Sequence, residues 1–167
     1  GGQTYILNLL QNLPAIGVDV VLIVSRYNRQ TFSGLLNNNV SFFESSFSSK
    51  SIVHRVLWEI MYLPFLLRSL KTDVYYAPGG IMVTKVPNRC VSVTALRNML
   101  PFDERERSRF PFFSYVRFKL NVLRFVFLAS YKLSDKVIFI SEYSRSVVEQ
   151  YIQNIMNKSV VIPHGIN

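Results

Sequence analysis

A single cysteine, Cys90, rules out any disulfide within the 167 residues. Free cysteine is usually buried, and in the run Cys90-Val91-Ser92-Val93-Thr94 it reads as a small core hydrophobe. A reducing, cytosolic setting follows as the expectation, and the Asn-x-Ser matches at Asn39 and Asn157 then read as chance. Long apolar runs are missing too. A membrane span needs about 18 apolar residues without charges, whereas the longest candidates are broken by Arg55, Glu59 and Pro64, or by Arg117, Lys119 and Arg124. Acidic residues are scarce, ten against nineteen Lys and Arg, and no two are discernible as the paired carboxylates of a glycoside hydrolase. No G-x-G-x-x-G occurs. No nucleic-acid-binding motif is visible, and the aromatics sit in apolar runs rather than among basic residues, so nucleic acid is not an expected partner. No internal repeat appears beyond a general alternation of strand and helix.

What is present is organised around the end of the chain. Val137 to Ile140 is a short unbroken apolar run, which suits a strand covered on both faces. Ser141 is placed to cap a following helix, with Glu142 in its first turn where a negative charge meets exposed N–H groups. That helix is expected to run to about Gln153, before a second apolar strand, Ser159 to Ile162, ends at Pro163. Strand, capped helix, strand is the repeating unit of an open α/β sheet, whose ligands collect at the carboxyl ends of strands.

The pairing of Asp135-Lys136-Val137-Ile138-Phe139-Ile140-Ser141-Glu142-Tyr143-Ser144-Arg145 with Val160-Val161-Ile162-Pro163-His164-Gly165-Ile166-Asn167 resembles the end of the N-terminal domain of GT-B glycosyltransferases. The family is the large retaining one, family 4, that includes sucrose synthases and bacterial mannosyltransferases. The resemblance implies an α/β fold: a Rossmann-like open parallel sheet with helices on both faces, the N-terminal half of a GT-B fold. Residues 1–163 would form that acceptor-side domain and 164–167 the start of the linker to a second domain. It also implies a first strand upstream of Gly1, so that the sheet of this chain lacks its central strand.

Function follows as expectation from the same resemblance: transfer of a sugar from a nucleotide-sugar donor to a saccharide or lipid-linked acceptor with retention, as in cell-surface polysaccharide assembly. No cofactor or metal is expected, since the nucleotide-sugar is a substrate. Most donor contacts, including a Glu-x₇-Glu motif, would lie in the C-terminal domain, so these residues alone are expected to be inactive. The alternative is a non-catalytic or dinucleotide-binding Rossmann-like module.

In chain order, Gly1-Gly2 precede a helix whose apolar residues fall at Ile6, Leu9, Leu10 and Leu13. Without a Cβ, backbone N–H groups at such a turn can approach a diphosphate. Val18 to Val24 reads as a strand, the polar stretch 26–39 as turns, Val40 to Phe43 as a short strand and Ser45 to Ser51 as a loop. A helix follows from Ile52, with Pro64 kinking it or opening a second one; His54 and Trp58 read as packing residues. Strand Asp73–Ala77 ends in Pro78-Gly79-Gly80, either a plain turn or a place where backbone meets ligand. Strand Cys90–Thr94 leads to Arg97-Asn98, where many members of the resembled family carry a His-Asp or His-Asn pair lining the acceptor side. Arginine stays charged near neutral pH, so it cannot act as a base there but can clamp a phosphate. Arg97 and Asn98 are therefore the candidate catalytic residues. Gly1, Gly2, Gly79, Gly80, Ser141, Glu142, His164 and Gly165 are the candidates for donor diphosphate or substrate binding.

Asp103 to Arg109 reads as a charged, solvated loop, and Phe112 to Leu133 as a long helix. Ser114, Arg117, Asn121 and Arg124 form one polar stripe on that helix, and the apolar arc is wider than packing on one sheet requires. Either the helix is covered on two sides, or it has an outer face for a membrane surface or a partner domain. The net charge of +9 bears on the choice. Between Lys50 and Lys132 stand fourteen Lys and Arg against five Asp and Glu, so that section holds the whole excess. Such a field suits a phosphorylated substrate or an anionic membrane surface. The expected location is cytoplasmic, peripheral at the inner face of the membrane.

Overall fold

The computed structural model describes residues 2–13, 17–25, 28–32, 34 and 39–163. These divide into two compact units, Gly1–Leu63 and Pro64–Asn167. Both are built from parallel strands and helices, as the α/β expectation required.

In the first unit, helix α1 (Gly2–Asn12) starts at the glycine itself. Its Ile6, Leu7 and Leu10 pack with Val20, Leu22 and Val24 of strand β1 (Val20–Val24) and with Phe32 of the short helix α2 (Arg29–Phe32). β1 pairs in parallel with β2 (Val40–Glu44), Val20 opposite Val40 and Val24 opposite Glu44. Helix α3 (Ile52–Met61) is capped by Ser51, whose hydroxyl accepts from the His54 N–H at 3.3 Å and lies 2.7 Å from His54 Nδ1. The His54 ring also stands edge-on to Phe47, which accounts for that histidine as a packing and boundary residue. Helix α4 (Leu63–Ser69) begins two residues after α3 ends. Pro64 is its second residue, a place where a missing N–H costs nothing.

The second unit carries a four-stranded parallel sheet in the order β3 (Val74–Ala77), β4 (Val91–Leu96), β5 (Lys136–Phe139), β6 (Ser159–Val161). Its core is Leu96, Phe102, Phe127, Tyr131, Val137, Phe139, Val148, Ile152 and Ile155. Phe102, Phe127, Tyr131 and Phe139 form a chain of rings with centroids 6.0–6.3 Å apart. Tyr131 is fully buried and burial pushes its hydroxyl pKa far up. Cys90 is buried, and the same cause raises its thiol pKa.

At the amino-terminal end of the sheet, Asp135 ties β4 to β5. Its Oδ2 accepts from Ser92 N at 2.8 Å and from Ser92 Oγ at 2.6 Å, while Asp135 N donates back to Ser92 Oγ at 2.9 Å. The Ser92 hydroxyl, then the Ser92 N–H, hold the Asp135 carboxyl below the usual carboxylate range.

Two expectations need correction. The charged segment 103–109 is not a loop but helix α5 (Glu104–Ser108). Asp103 caps it by accepting from Glu106 N at 3.1 Å, and Glu104 and Glu106 sit in the first turn, where they oppose the helix dipole. Its Arg107 is buried, 3.6 Å from Glu104 and donating to Asn121 at 3.3 Å. The helix after Ser141, α7 (Glu142–Glu149), stops short of Gln153. Asn154 takes a left-handed φ of 62°, and a 3₁₀ turn, Ile155–Lys158, brings Ile155 into the core beside Ile152 and Val148.

Candidate functional site

Because the four strands of the second unit are parallel, their carboxyl ends lie along one edge. The register fixes what meets there: Ala77 is opposite Thr94, Leu96 opposite Phe139, and Phe139 opposite Val161. Three of the expected segments are thereby brought to neighbouring positions: Gly79-Gly80 after β3, Arg97-Asn98 after β4, and Ser141-Glu142 after β5. Gly1, His164 and Gly165 lie outside the described residues. Gly2 is described and opens α1 in the other unit.

The two glycines after β3 differ. A Cβ on Gly79 would meet nothing within 4 Å, and the same holds at Gly2. Gly80 has φ +80°, and a Cβ there would stand 2.6 Å from Phe127 Cε1 and 2.9 Å from the Ala95 carbonyl oxygen. The fold itself therefore demands glycine at 80, whereas nothing in the packing demands it at 79 or 2.

After β4 the chain runs into Arg97, half-buried, and Asn98, exposed. The Asn98 side-chain Oδ1 accepts from Leu100 N at 3.0 Å, an Asx turn that steers the backbone toward the buried Pro101 and Phe102. After β5, Ser141 and Ser144 cap α7 reciprocally. Ser144 N donates to Ser141 Oγ at 3.1 Å, and Ser141 N donates to Ser144 Oγ at 3.2 Å. The Ser141 hydroxyl is thus committed to the helix. Glu142 is exposed and pairs with Arg145.

Chemically, this edge carries the Arg97 guanidinium, the backbone of a glycine turn and the Asn98 side-chain amide, with the only carboxylate among the expected residues, Glu142, paired to Arg145. Such a set suits recognition of a polyol or an anionic oxygen by charge and hydrogen bonding. Sequence reasoning missed Arg145, which sits one helical turn beyond Glu142 and was legible only as an i,i+3 partner. It also missed the hollow of about 530 Å³ at the opposite end of the sheet, lined in part by Thr84, Lys85, Cys90, Ser92 and Asp135.

Helix α6 (Tyr115–Leu133) is capped by Ser114, whose hydroxyl accepts from Arg117 N at 3.2 Å. Leu120, Phe127 and Tyr131 go into the core. The polar stripe is taken up by neighbours. Arg117 donates to the Phe110 carbonyl and lies over the Phe112 ring, Asn121 accepts from Arg107, and Arg124 lies over the Tyr151 ring. Lys119 and Lys132 face water, and beside them so does a row of large apolar residues: Tyr115 (77% exposed), Phe118 (66%), Val122 (46%) and Phe125 (73%). The preceding helix α5 covers part of α6 through Arg107 and Asn121, while the arc through Tyr115, Phe118, Val122 and Phe125 stays exposed. Among the described residues, no helix is long and apolar enough to cross a membrane.

Comparison with known proteins gives one positive finding. A family model described as Glycosyltransferase Family 4 matches residues 1–167, the whole of the chain. No curated protein and no solved structure gives a significant match.

Proposed function

Because the chain belongs to glycosyltransferase family 4, we propose that it is the acceptor-side half of a GT-B enzyme moving a hexosyl group from a nucleotide-sugar to a saccharide or lipid-linked acceptor with retention. The observation that carries this reading is the convergence of Gly79-Gly80, Arg97-Asn98 and Ser141-Glu142 on one carboxyl edge of a parallel sheet, the place where open α/β sheets bind their ligands. In this reading the edge closes on a second domain that holds most of the donor. Arg97 meets anionic oxygen, from the departing diphosphate or the acceptor, and the Gly79 backbone can approach substrate because no side chain intervenes. Gly2 in the first unit, and His164 and Gly165 at the interdomain linker, are each assigned to donor or substrate binding in this reading. Charge developing on the leaving diphosphate is stabilised by the arginine and by backbone N–H groups rather than by carboxylates of this half. The chemistry calls on no resident cofactor, and the enzyme works at the cytoplasmic face of a membrane.

The test uses the full-length protein and a panel of nucleotide-sugars, reading nucleotide release. Arg97→Ala should lower turnover about tenfold to hundredfold, the equivalent of losing one charge-assisted contact of roughly 1.5–3 kcal/mol. Arg97→Lys should restore part of it, and Gly79→Val should lower turnover without lowering Tm, since a Cβ there meets nothing. Wild-type turnover in all three variants would remove this edge from consideration.

A further inference from the structure

The aromatic outer face of α6 has no role in the fold and none in the sheet-edge site. Tyr115, Phe118, Val122 and Phe125 follow one another at steps of three, four and three residues, which places them on one side of the helix. None of them is needed for the core, since Leu120, Phe127 and Tyr131 already supply it from the opposite side. The apolar surface extends beyond the helix N-terminus to Phe112 and Phe113. Phe113 is 96% exposed and its ring meets Phe112 edge-on at 5.2 Å. Arg117 holds this pair in place, its guanidinium carbon 5.0 Å from the Phe112 ring centroid.

Arg107 and Arg109 pair with Glu104 and Glu106 of α5, whereas α6 itself carries charge of one sign. From Arg107 to Ser134 the chain contains six Lys and Arg (107, 109, 117, 119, 124 and 132) and no Asp or Glu. Lys119 and Lys132 are exposed on α6 itself. An unpartnered face intended for another protein surface could carry either sign. A helix face whose exposed side chains are apolar or cationic, with no acid on the helix, matches the headgroup and upper acyl region of an anionic bilayer. There aromatic rings settle at the polar–apolar boundary and basic side chains meet lipid phosphates.

We infer that the outer face of α6, together with Phe112 and Phe113, seats on an anionic membrane surface. The inference deepens the proposed function and rests on it for one consequence only: docking there would bring a lipid-linked acceptor to this half of the enzyme. The arginines are not equivalent in this role. Arg107 is buried against Asn121, and Arg117 positions Phe112, so the freely available cations are those at the exposed positions, Lys119 and Lys132.

The experiment is co-sedimentation of the full-length protein with vesicles of phosphatidylcholine, with or without phosphatidylglycerol, at low and high salt, alongside nucleotide release in the absence of vesicles. Wild-type protein should bind the phosphatidylglycerol vesicles much more strongly than pure phosphatidylcholine, where only the weak apolar component remains. Phe118→Ser/Phe125→Ser should weaken binding at least about tenfold and leave a residue of binding that salt abolishes. Lys119→Glu/Lys132→Glu should weaken it by a similar factor and leave a residue that salt does not touch. Both variants should keep wild-type nucleotide release without vesicles, which separates this inference from the proposed activity. A wild-type protein that ignores anionic vesicles at low salt overturns the inference. So does a serine variant that binds vesicles normally but loses Tm or dissociates a dimer, because the face would then be covered by protein.

Discussion

Helices α6 and α7 belong to the same unit, and they face water in opposite ways. α7 buries Ser144 and Val148 and turns Glu142, Ser146 and Glu149 outward with a single aromatic, Tyr143, among them. α6 buries Leu120, Phe127 and Tyr131, spends its polar residues on α5, Phe112 and Tyr151, and turns Tyr115, Phe118, Val122 and Phe125 outward. The core is equally well served in both. The difference is in the outward face, and burial in the fold cannot explain it. Four large apolar residues in register face outward on α6, and the membrane seat inferred above would give them a neighbour less polar than water.

The comparison breaks first if the two sides of α6 prove energetically alike. Phe127→Ala should destabilise the protein by about 3–5 kcal/mol, because the ring fills space between Phe102 and Tyr131 and against Gly80. Phe125→Ala, on the outward side, should change stability by no more than about 0.5 kcal/mol. Urea denaturation reads both, and a comparable loss in the two variants would show that the outer face is packed after all. A smaller effect tests α7. Ser141→Ala removes one half of the reciprocal cap and should cost about 1 kcal/mol, with loss of hydrogen-exchange protection confined to the first turn of α7. Ser114→Ala should do the same to α6; unequal costs would mean that one of these helices is held by something other than its cap.

The smallest effect expected is a pH dependence. The folded Asp135 carboxyl has its pKa depressed by the Ser92 hydroxyl and the Ser92 N–H. A depressed acid contributes stability that is fully present above the unfolded-state value, about 3.9 for Asp. That contribution disappears as pH falls through the folded value below it. Asp135→Asn should therefore flatten the fall in Tm on the acid side of about pH 4 and change its shape little near neutrality. An unchanged acid limb would remove Asp135 as the group responsible. The residue is largely exposed, so solvent screening keeps the effect modest.

How much of this was legible in the sequence varied with the range of the interactions involved. The strand at Val137–Phe139 and the cap at Ser141 were read correctly because both signals are local: an apolar run and a hydroxyl directly before a helix. The end of α7 was not, since Val148, Ile152 and Ile155 keep helical spacing while the chain passes through a left-handed Asn154. The 103–109 segment was misread because its charges look like those of a solvated loop. Its signal was the acid cap at Asp103 followed by two glutamates in the first turn. On α6 the polar stripe was visible, but which arc would meet the core depended on α5 and Tyr151, which no local pattern specifies. The candidate segments after β3, β4 and β5 were placed at strand ends, Arg97-Asn98 with the help of the resemblance, and the parallel register sets those three ends side by side. The steric reason for Gly80 was hidden, because it lies in Phe127, far along the chain.

The most direct test of the contrast between the two helices is hydrogen exchange on the full-length protein, with and without phosphatidylglycerol vesicles. Amides from Phe110 to Val126 should gain protection when the vesicles are added, while those of α7, Glu142–Glu149, should exchange at unchanged rates. No added protection over 110–126, or equal protection over both helices, would contradict the account.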